Sequence, residues 1–264
     1  RCRALGAEVV LWGDSYADCE SRALELAARD GLTFVHGFDD PDVIAGQGTL
    51  ALELLEQAPE VDTVMVPVGG GGLLAGLVAA LRTLAPGVQL IGVEPEHAPT
   101  LTRALAAGRV ERVETEPTLA DGLQVAQLGQ RCFDLIRGNV ERVELVSEAA
   151  IATAIVRLME SEKTVVEGAG AVGLAALLER PERYAGRRVA LLLSGGNIDL
   201  STISRIIERG LAAQGRLCRL TVELQDHPGT LAELTKLVAR TGANVQQIDH
   251  DRNFGPADVS LVRV

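Results

Sequence analysis

Thr63-Val-Met-Val-Pro-Val-Gly-Gly-Gly-Gly-Leu-Leu-Ala-Gly76 is the stretch on which the rest of the chain is organised. A β-branched apolar run ends in four consecutive glycines, and leucines and alanines at helical spacing follow at once, which predicts strand, turn and helix in succession. Residues without Cβ let the backbone turn sharply and aim successive N–H groups at one point. The first turn of a helix adds its own free N–H groups and positive dipole end. Such a turn cradles a phosphate. A glycine turn can also serve only to let helix and strand pack closely, but four glycines in succession favour the phosphate.

Outward from this stretch the same alternation recurs. Glu8–Trp12 and Leu32–His36 read as short apolar strands, separated by a helix that starts at a capping-box pattern of Ser15 with Asp18 and stops at Gly31. Val43 onward is helical, and Ala45-Gly-Gln-Gly-Thr49 inside it reads as a helix crossing point, where backbones approach closely. On the other side, Leu73, Leu74, Leu77, Val78 and Leu81 form one helix face, and Gln89–Val93 is the next strand. Then come strand Val143–Val146, a helix capped by Ser147 that takes in Lys163, and Glu167-Gly-Ala-Gly170 opening another helix. The last apolar strand, Arg188–Leu193, ends in Ser194-Gly-Gly-Asn197. Nearly continuous apolar strands alternating with helices predict an open, mostly parallel α/β sheet covered on both faces. Ligands bind such sheets at the carboxyl ends of strands, so the two glycine turns are expected to face one crevice.

The pattern changes near Gln214-Gly215. From Leu217 residues alternate polar and apolar, as in a half-buried strand; a turn at Asp226-His-Pro-Gly229, a helix through Leu231, Leu234 and Leu237, a strand after Thr241-Gly-Ala-Asn244 and a strand at Asp258–Val264 follow. We therefore expect a domain boundary at about residue 214 and a small α+β domain beyond it.

The totals agree with a protein that meets small molecules. Apolar residues make up 47% of 264 residues, enough for a sizeable core. A net charge of −11 argues against a nucleic-acid or anionic-membrane surface. No run reaches the roughly 18 apolar residues of a membrane span. Cys2, Cys19, Cys132 and Cys218 are scattered without metal-ligand spacing and read as reduced thiols of a cytoplasmic protein.

Two ligands compete for the tetraglycine. Gly70, Gly72 and Gly76 fit a loose dinucleotide fingerprint, with Glu94 placed where a ribose-binding acid belongs. A smaller phosphorylated cofactor held between the two turns uses both of them, which the dinucleotide does not.

Further motifs favour the second. Asp39-Asp-Pro-Asp-Val-Ile-Ala-Gly-Gln-Gly-Thr49, Val66-Pro-Val-Gly-Gly-Gly-Gly-Leu73, Ile91-Gly-Val-Glu-Pro95, Leu119-Ala-Asp-Gly122, Glu167-Gly-Ala-Gly170 and Ser194-Gly-Gly-Asn-Ile-Asp-Leu200 closely resemble the threonine dehydratases (threonine ammonia-lyases). These belong to the tryptophan-synthase-β class of pyridoxal-phosphate enzymes, known as fold type II. The region from Leu217, with Asp226-His-Pro-Gly229, Ala243-Asn244 and Ile248-Asp-His-Asp-Arg252, resembles the ferredoxin-like ACT domain appended to many of them, here incomplete.

The resemblance implies a remnant of a small domain at residues 1–37, a large cofactor domain at 38–214 and an ACT-like regulatory domain at 215–264. It implies that Gly69, Gly70, Gly71, Gly72 and Leu73 hold the phosphate of pyridoxal 5'-phosphate, that Ser194 meets the ring nitrogen, and that Gly122, Glu167 and Asn197 lie near the ring. Glu167 reads equally as a partner for a helix dipole. A divalent cation in relatives implies Glu94 and Ala98 as ligands, but Thr100 stands where a carboxylate is usual, and hard cations want more than one anionic oxygen. His97 reads as a surface histidine. Asp226, Gly229 and Asn244 match positions that bind amino-acid effectors, though the turn is also good turn chemistry. The implied activity is conversion of L-threonine, and L-serine, to 2-oxobutyrate, or pyruvate, and ammonia, on the way to isoleucine, in a homo-oligomeric dimer or tetramer.

One motif of the family is not present. Its Schiff-base lysine lies in an S-x-K-x-R-G segment, and the lysines here, Lys163 and Lys236, stand in neither that motif nor a strand-end turn. The resemblance thus implies that the chain lacks its catalytic lysine and an N-terminal part. A serine dehydratase or racemase of the same class, or a non-catalytic amino-acid sensor, are the alternatives.

Overall fold

The computed structural model describes residues 2–14, 16–252, 258 and 260–264. The chain divides into two units, Arg1–Gly210 and Leu211–Val264. In the first, helices α1 (Tyr16–Asp30), α2 (Pro41–Gln57), α3 (Gly72–Leu84), α4 (Thr100–Ala107), α5 (Gln130–Ile136), α6 (Glu148–Ser161), α7 (Gly168–Glu179) and α8 (Leu200–Ala213) surround strands β1 (Thr63–Pro67), β2 (Gln89–Pro95), β3 (Arg142–Val146) and β4 (Val189–Leu191). The second holds β5 (Glu223–Gln225), helix α9 (Thr230–Arg240) and β6 (Leu261–Arg263). The division falls between Gly210 and Leu211, in the last turn of α8, and just beyond α8 the carbonyl of Leu211 accepts the N–H groups of Arg216 and Leu217.

The four strands of the first unit are all parallel, in the order β3-β2-β1-β4. β1 is buried along its whole length, which is why it reads as a continuous apolar run rather than an alternating one. Val64, Val66 and Val68 pack on one face with Leu74, Leu77 and Leu81 of α3. Met65 packs on the other, with Ile91 and Val93 of β2 and the apolar residues of α6 and α7. The chain winds from β1 through β2 to β3, then returns to place β4 on the opposite side of β1. That reversal puts the topological switch between β1 and β4, whose carboxyl ends carry the two glycine turns.

α2 crosses α3 where the sequence places its crossing point. A Cβ on Gly76 would lie 2.5 Å from the carbonyl oxygen of Ile44 and 2.6 Å from the nitrogen of Gly48. Gly46, by contrast, faces open space, so only one of the two glycines in that segment serves the crossing. At the far end of α7, Arg180 and Arg183 donate to the buried carboxylate of Glu144 on β3, which ties the helix to the edge strand.

Several expected elements differ. Glu8–Trp12 and Leu32–His36 form no ladder among the described residues, and Leu11 and Leu32 are largely exposed; strand-like composition alone supplies no partner. The helix between them is present as α1, but Ser15 of its expected capping box lies outside the described residues. Lys163 is not helical. It follows the end of α6 with φ of 56°, and its Nζ donates to the carbonyl of Glu160. In the second unit, the alternating stretch from Leu217 pairs through Val222, which exchanges backbone hydrogen bonds with Val264, and through β5, antiparallel to β6, while among the described residues the stretch after Asn244 forms only the bridge Asp251–Arg263. Val259 of the last expected strand lies outside the described residues. The short helices α4 and α5 were not expected at all.

Candidate active site

The tetraglycine turn is tightly walled and leaves backbone donors open. Gly71 adopts φ of 93°, a left-handed conformation that favours glycine, and serves as N-cap of α3; among the described residues no side chain caps the helix. The N–H groups of its first turn therefore have no acceptor in the helix itself. The neighbours leave no room for side chains. A Cβ on Gly70 would fall inside the ring of Phe38, one on Gly71 would lie 2.9 Å from Leu128 and 3.0 Å from Cys132, and one on Gly72 would lie 2.9 Å from Phe38. Gly70 also accepts the N–H of Gly129, which fixes the turn against the start of α5. All four glycines are buried, and Leu73 is half-buried. Cys132 beneath the turn is not a reactive thiol, since burial, followed by the nearby Asp39 carboxylate, pushes its pKa up to about 12.

A series of close approaches links this turn to the one after β4. A Cβ on Gly69 would lie 3.3 Å from the carbonyl oxygen of Gly122, and one on Gly122 would lie 3.2 Å from Cβ of Ala169 at the start of α7. A Cβ on Gly170 would lie 3.2 Å from the nitrogens of both Ser194 and Gly195. The Leu119–Gly122 segment is itself held by Glu148 on α6, which accepts from Thr118 Oγ1 at 2.5 Å and from Leu119 N–H at 2.7 Å. His97 lies beside this loop, 2.6 Å from the Pro117 carbonyl, and that hydrogen bond raises its pKa. It is the surface histidine expected, and its ring also supports the loop.

Glu167 is the residue whose role the structure redefines. It stands at the N-cap position of α7 but makes no capping bond. Its Oε2 instead accepts the N–H of Asn197 at 2.9 Å, and its own N–H donates to the carbonyl of Gly195. Glu167 thus braces the Ser194–Asn197 turn rather than only complementing a dipole. Ser194 and Asn197 are exposed, and among the described residues nothing hydrogen-bonds the Ser194 hydroxyl. The structure therefore brings together the tetraglycine, Gly122, Glu167, Ser194 and Asn197 around the ends of β1 and β4. Phe38, which walls Gly70, carried no signal by itself; its place just before the Asp39–Thr49 motif was the only pointer.

Glu94 does something else. At the end of β2 and fully buried, it accepts the N–H groups of Leu101 and Thr102 at 2.6 and 3.0 Å and the Thr102 hydroxyl at 2.8 Å, so it caps α4. Both oxygens are engaged, which removes it as a ribose-binding acid. A cation does not fit either. Three protons already point at the carboxylate, the carbonyl of Ala98 accepts the N–H of Thr100, and the Thr100 hydroxyl donates to Val125. Among the described residues no group of three acidic, histidine or cysteine side chains is placed to hold a metal.

In the second unit, Asp226 and Gly229 line a cleft of about 410 Å³ with His227, His250 and Arg252, and Arg252 donates to both oxygens of Asp226 at 2.8 and 3.1 Å. Asn244 is not among the lining residues.

Comparison with known proteins gives the family. A family model described as pyridoxal-phosphate dependent enzyme matches residues 1–195. The L-threonine ammonia-lyase of Thermotoga maritima is 44% identical over 264 residues, 100% of this chain and 66% of that protein. The crystal structure of the T.th. threonine deaminase is 47% identical with a TM-score of 0.71, over 75% of this chain and 66% of that one. Maize serine racemase is 31% identical with a TM-score of 0.72, over 81% of this chain and 66% of its own. The chain thus spans slightly under two thirds of these relatives, and its parallel sheet flanked by helices is the fold type II architecture they share. The collision-free cradle, its uncapped backbone donors and the neutral hydroxyl across from it all fit the cofactor, and the chain belongs to the pyridoxal-phosphate-dependent enzymes.

Proposed function

We propose that the protein containing this chain converts L-threonine to 2-oxobutyrate and ammonia, and L-serine to pyruvate and ammonia. The observation that carries this reading is the neutral hydroxyl of Ser194 just after β4, the strand paired with β1, whose own end carries the tetraglycine. When bound, pyridoxal phosphate supplies an electron sink for carbanion chemistry next to an amino group. Ser194 holds the ring nitrogen without protonating it, which keeps that sink weak and favours loss of a β-hydroxyl over transamination. Gly69–Gly72 and Leu73 bind the phosphate through backbone N–H groups. Glu167 orients the Ser194–Asn197 turn, and Gly122 shapes the wall beside the ring.

Supporting this reading are the names of the Thermotoga relative, an L-threonine ammonia-lyase, and of the T.th. threonine deaminase. The likeness to maize serine racemase supports a second reading, racemisation or dehydration of serine. In our reading residues 1–37 belong to a smaller domain, 38–214 to the cofactor domain, and 215–264 to an ACT-like regulatory domain whose effector meets Asp226 and Gly229. Incubation of the full protein and pyridoxal phosphate with L-threonine, L-serine and D-serine separates the readings. The first expects 2-oxobutyrate from L-threonine as the fastest product. Interconversion of the serine enantiomers without 2-oxobutyrate supports the second and overturns the first.

A further inference from the structure

Four consecutive glycines have no side chains with which to hold their own shape, and each loses more backbone freedom on ordering than any other residue. The curvature that makes the turn a cradle must therefore be imposed from outside. Gly69 is backed by Leu123 and Gly122, and Gly71 by Leu128 and Cys132, all of them neighbours in loop or helix of the same unit. Gly70 and Gly72 both rest on one residue, Phe38, through its ring and its Cβ. Phe38 lies in an irregular segment before α2, so its own position needs an anchor.

That anchor is His36. The N–H groups of Phe38 and Asp39 both donate to its Nδ1, at 3.1 and 2.9 Å. With Nδ1 the acceptor, the ring proton belongs on Nε2, which lies 2.8 Å from Oε1 of Glu20 on α1. The imidazole also meets the Phe38 ring edge to face, with centroids 4.6 Å apart. On the far side, Asp39 Oδ1 accepts the N–H of Cys132 at 3.0 Å, and the Cys132 thiol lies 3.4 Å from the Phe38 carbonyl. His36 and Asp39 thus clamp Phe38 between α1 and α5, with its ring against the tetraglycine.

We propose that His36 is a positioning residue for phosphate binding: as a double acceptor at Nδ1 it fixes Phe38, and through Phe38 the curvature of the Gly69–Gly72 turn. This rests on the reading of that turn as the phosphate cradle. Neither His36 nor Phe38 needs to touch the cofactor for it to hold.

The test compares pyridoxal phosphate with pyridoxal, which lacks the phosphate, by equilibrium dialysis against the full chain. His36→Phe keeps a ring and removes the acceptor, leaving two N–H groups without a partner; we expect pyridoxal phosphate to bind about tenfold more weakly and pyridoxal unchanged. His36→Asn places an amide oxygen where Nδ1 was and restores binding to within about threefold. Phe38→Ala, which removes the wall and leaves His36 in place, carries the same loss as His36→Phe and stands in for it if that variant unfolds. Unchanged affinity in His36→Phe or in Phe38→Ala, equal losses for both ligands, or failure of His36→Asn to recover overturns the proposal. Gly71→Ala tests the cradle separately. If that variant is folded and keeps its preference for pyridoxal phosphate over pyridoxal, the cradle reading fails and this proposal with it. If it loses the preference while His36→Phe keeps it, only the role of His36 fails.

Discussion

The carboxylate of Glu167, at the start of α7, accepts the N–H of Asn197 at 2.9 Å from 30 residues away, and in doing so joins the α7 N-terminus to the turn that ends β4. A Cβ added to Gly195 would fall inside that carboxylate. The two residues are therefore one device, and they make a coupled prediction. Glu167→Ala frees the turn and weakens pyridoxal phosphate binding about tenfold, while Glu167→Gln, which keeps an acceptor, stays within about threefold. Gly195→Ala alone disrupts the turn as much as Glu167→Ala. The double variant is no worse than either, because removing the carboxylate removes the clash. Absorbance titration with pyridoxal phosphate measures all four, and additive losses would show that the two residues act separately.

The α2–α3 crossing separates two glycines that look alike. Gly76→Ala must push a methyl into the backbone of α2, and we expect a loss of about 1–3 kcal/mol, of the size that overpacking costs. Gly46→Ala faces open space in a helix interior and is expected to gain about 0.5–1 kcal/mol, since alanine is the better helix former. Urea unfolding of the two variants side by side distinguishes packing from propensity.

These elements also show what could and could not be read in advance. β1 was legible because a strand buried on both faces must be apolar throughout, and β2, β3 and β4 because short apolar runs recur between helical stretches. Glu8–Trp12 and Leu32–His36 have the same composition and no ladder among the described residues, because composition reports what a segment could bury and not what pairs with it. The two glycine turns were legible from spacing alone, as was a crossing point within Ala45–Thr49, though not that Gly48 meets Gly76 there. The brace from Glu167 to Asn197 was not, because its acceptor is a side chain and its donor a backbone group that any residue carries. Glu94 misled for the same reason: an acid at a strand end resembles a ligand, while its partners, the N–H groups of Leu101 and Thr102, leave no mark in the sequence. α4 and α5, of 8 and 7 residues, are too short for their periodicity to stand out.

Glu94 should make stability depend on pH. Burial pushes its pKa up to about 7, against the pull of the hydrogen bonds from Leu101 and Thr102. A carboxyl whose native pKa is raised binds a proton more tightly in the folded state. Its contribution is therefore fully present below its ordinary value of 4.5 and is lost as pH rises through about 7. Thermal unfolding should give a more stable protein at pH 5 than at pH 8, with a Glu94 component of up to about 3 kcal/mol. Glu94→Gln, which cannot ionise, should remove that component of the slope. A Glu94→Gln protein with the parent's full pH dependence would mean that the slope arises elsewhere.

Lys163 provides the last prediction. It holds φ of 56°, a left-handed conformation that costs an ordinary residue about 1–2 kcal/mol. Its position just beyond the end of α6 is one where glycine is usual. The compensation is a single exposed hydrogen bond from Nζ to the Glu160 carbonyl, which is worth little in water. Lys163→Gly relieves the strain but gives the unfolded chain more freedom, so the net gain should be about 0.5–1 kcal/mol. Lys163→Ala keeps the strain and should gain nothing. Because Nζ is directed at Glu160, Lys163→Gly should leave pyridoxal phosphate affinity as it was. A more stable variant with unchanged affinity places Lys163 outside the site, whereas a loss of affinity would bring it in.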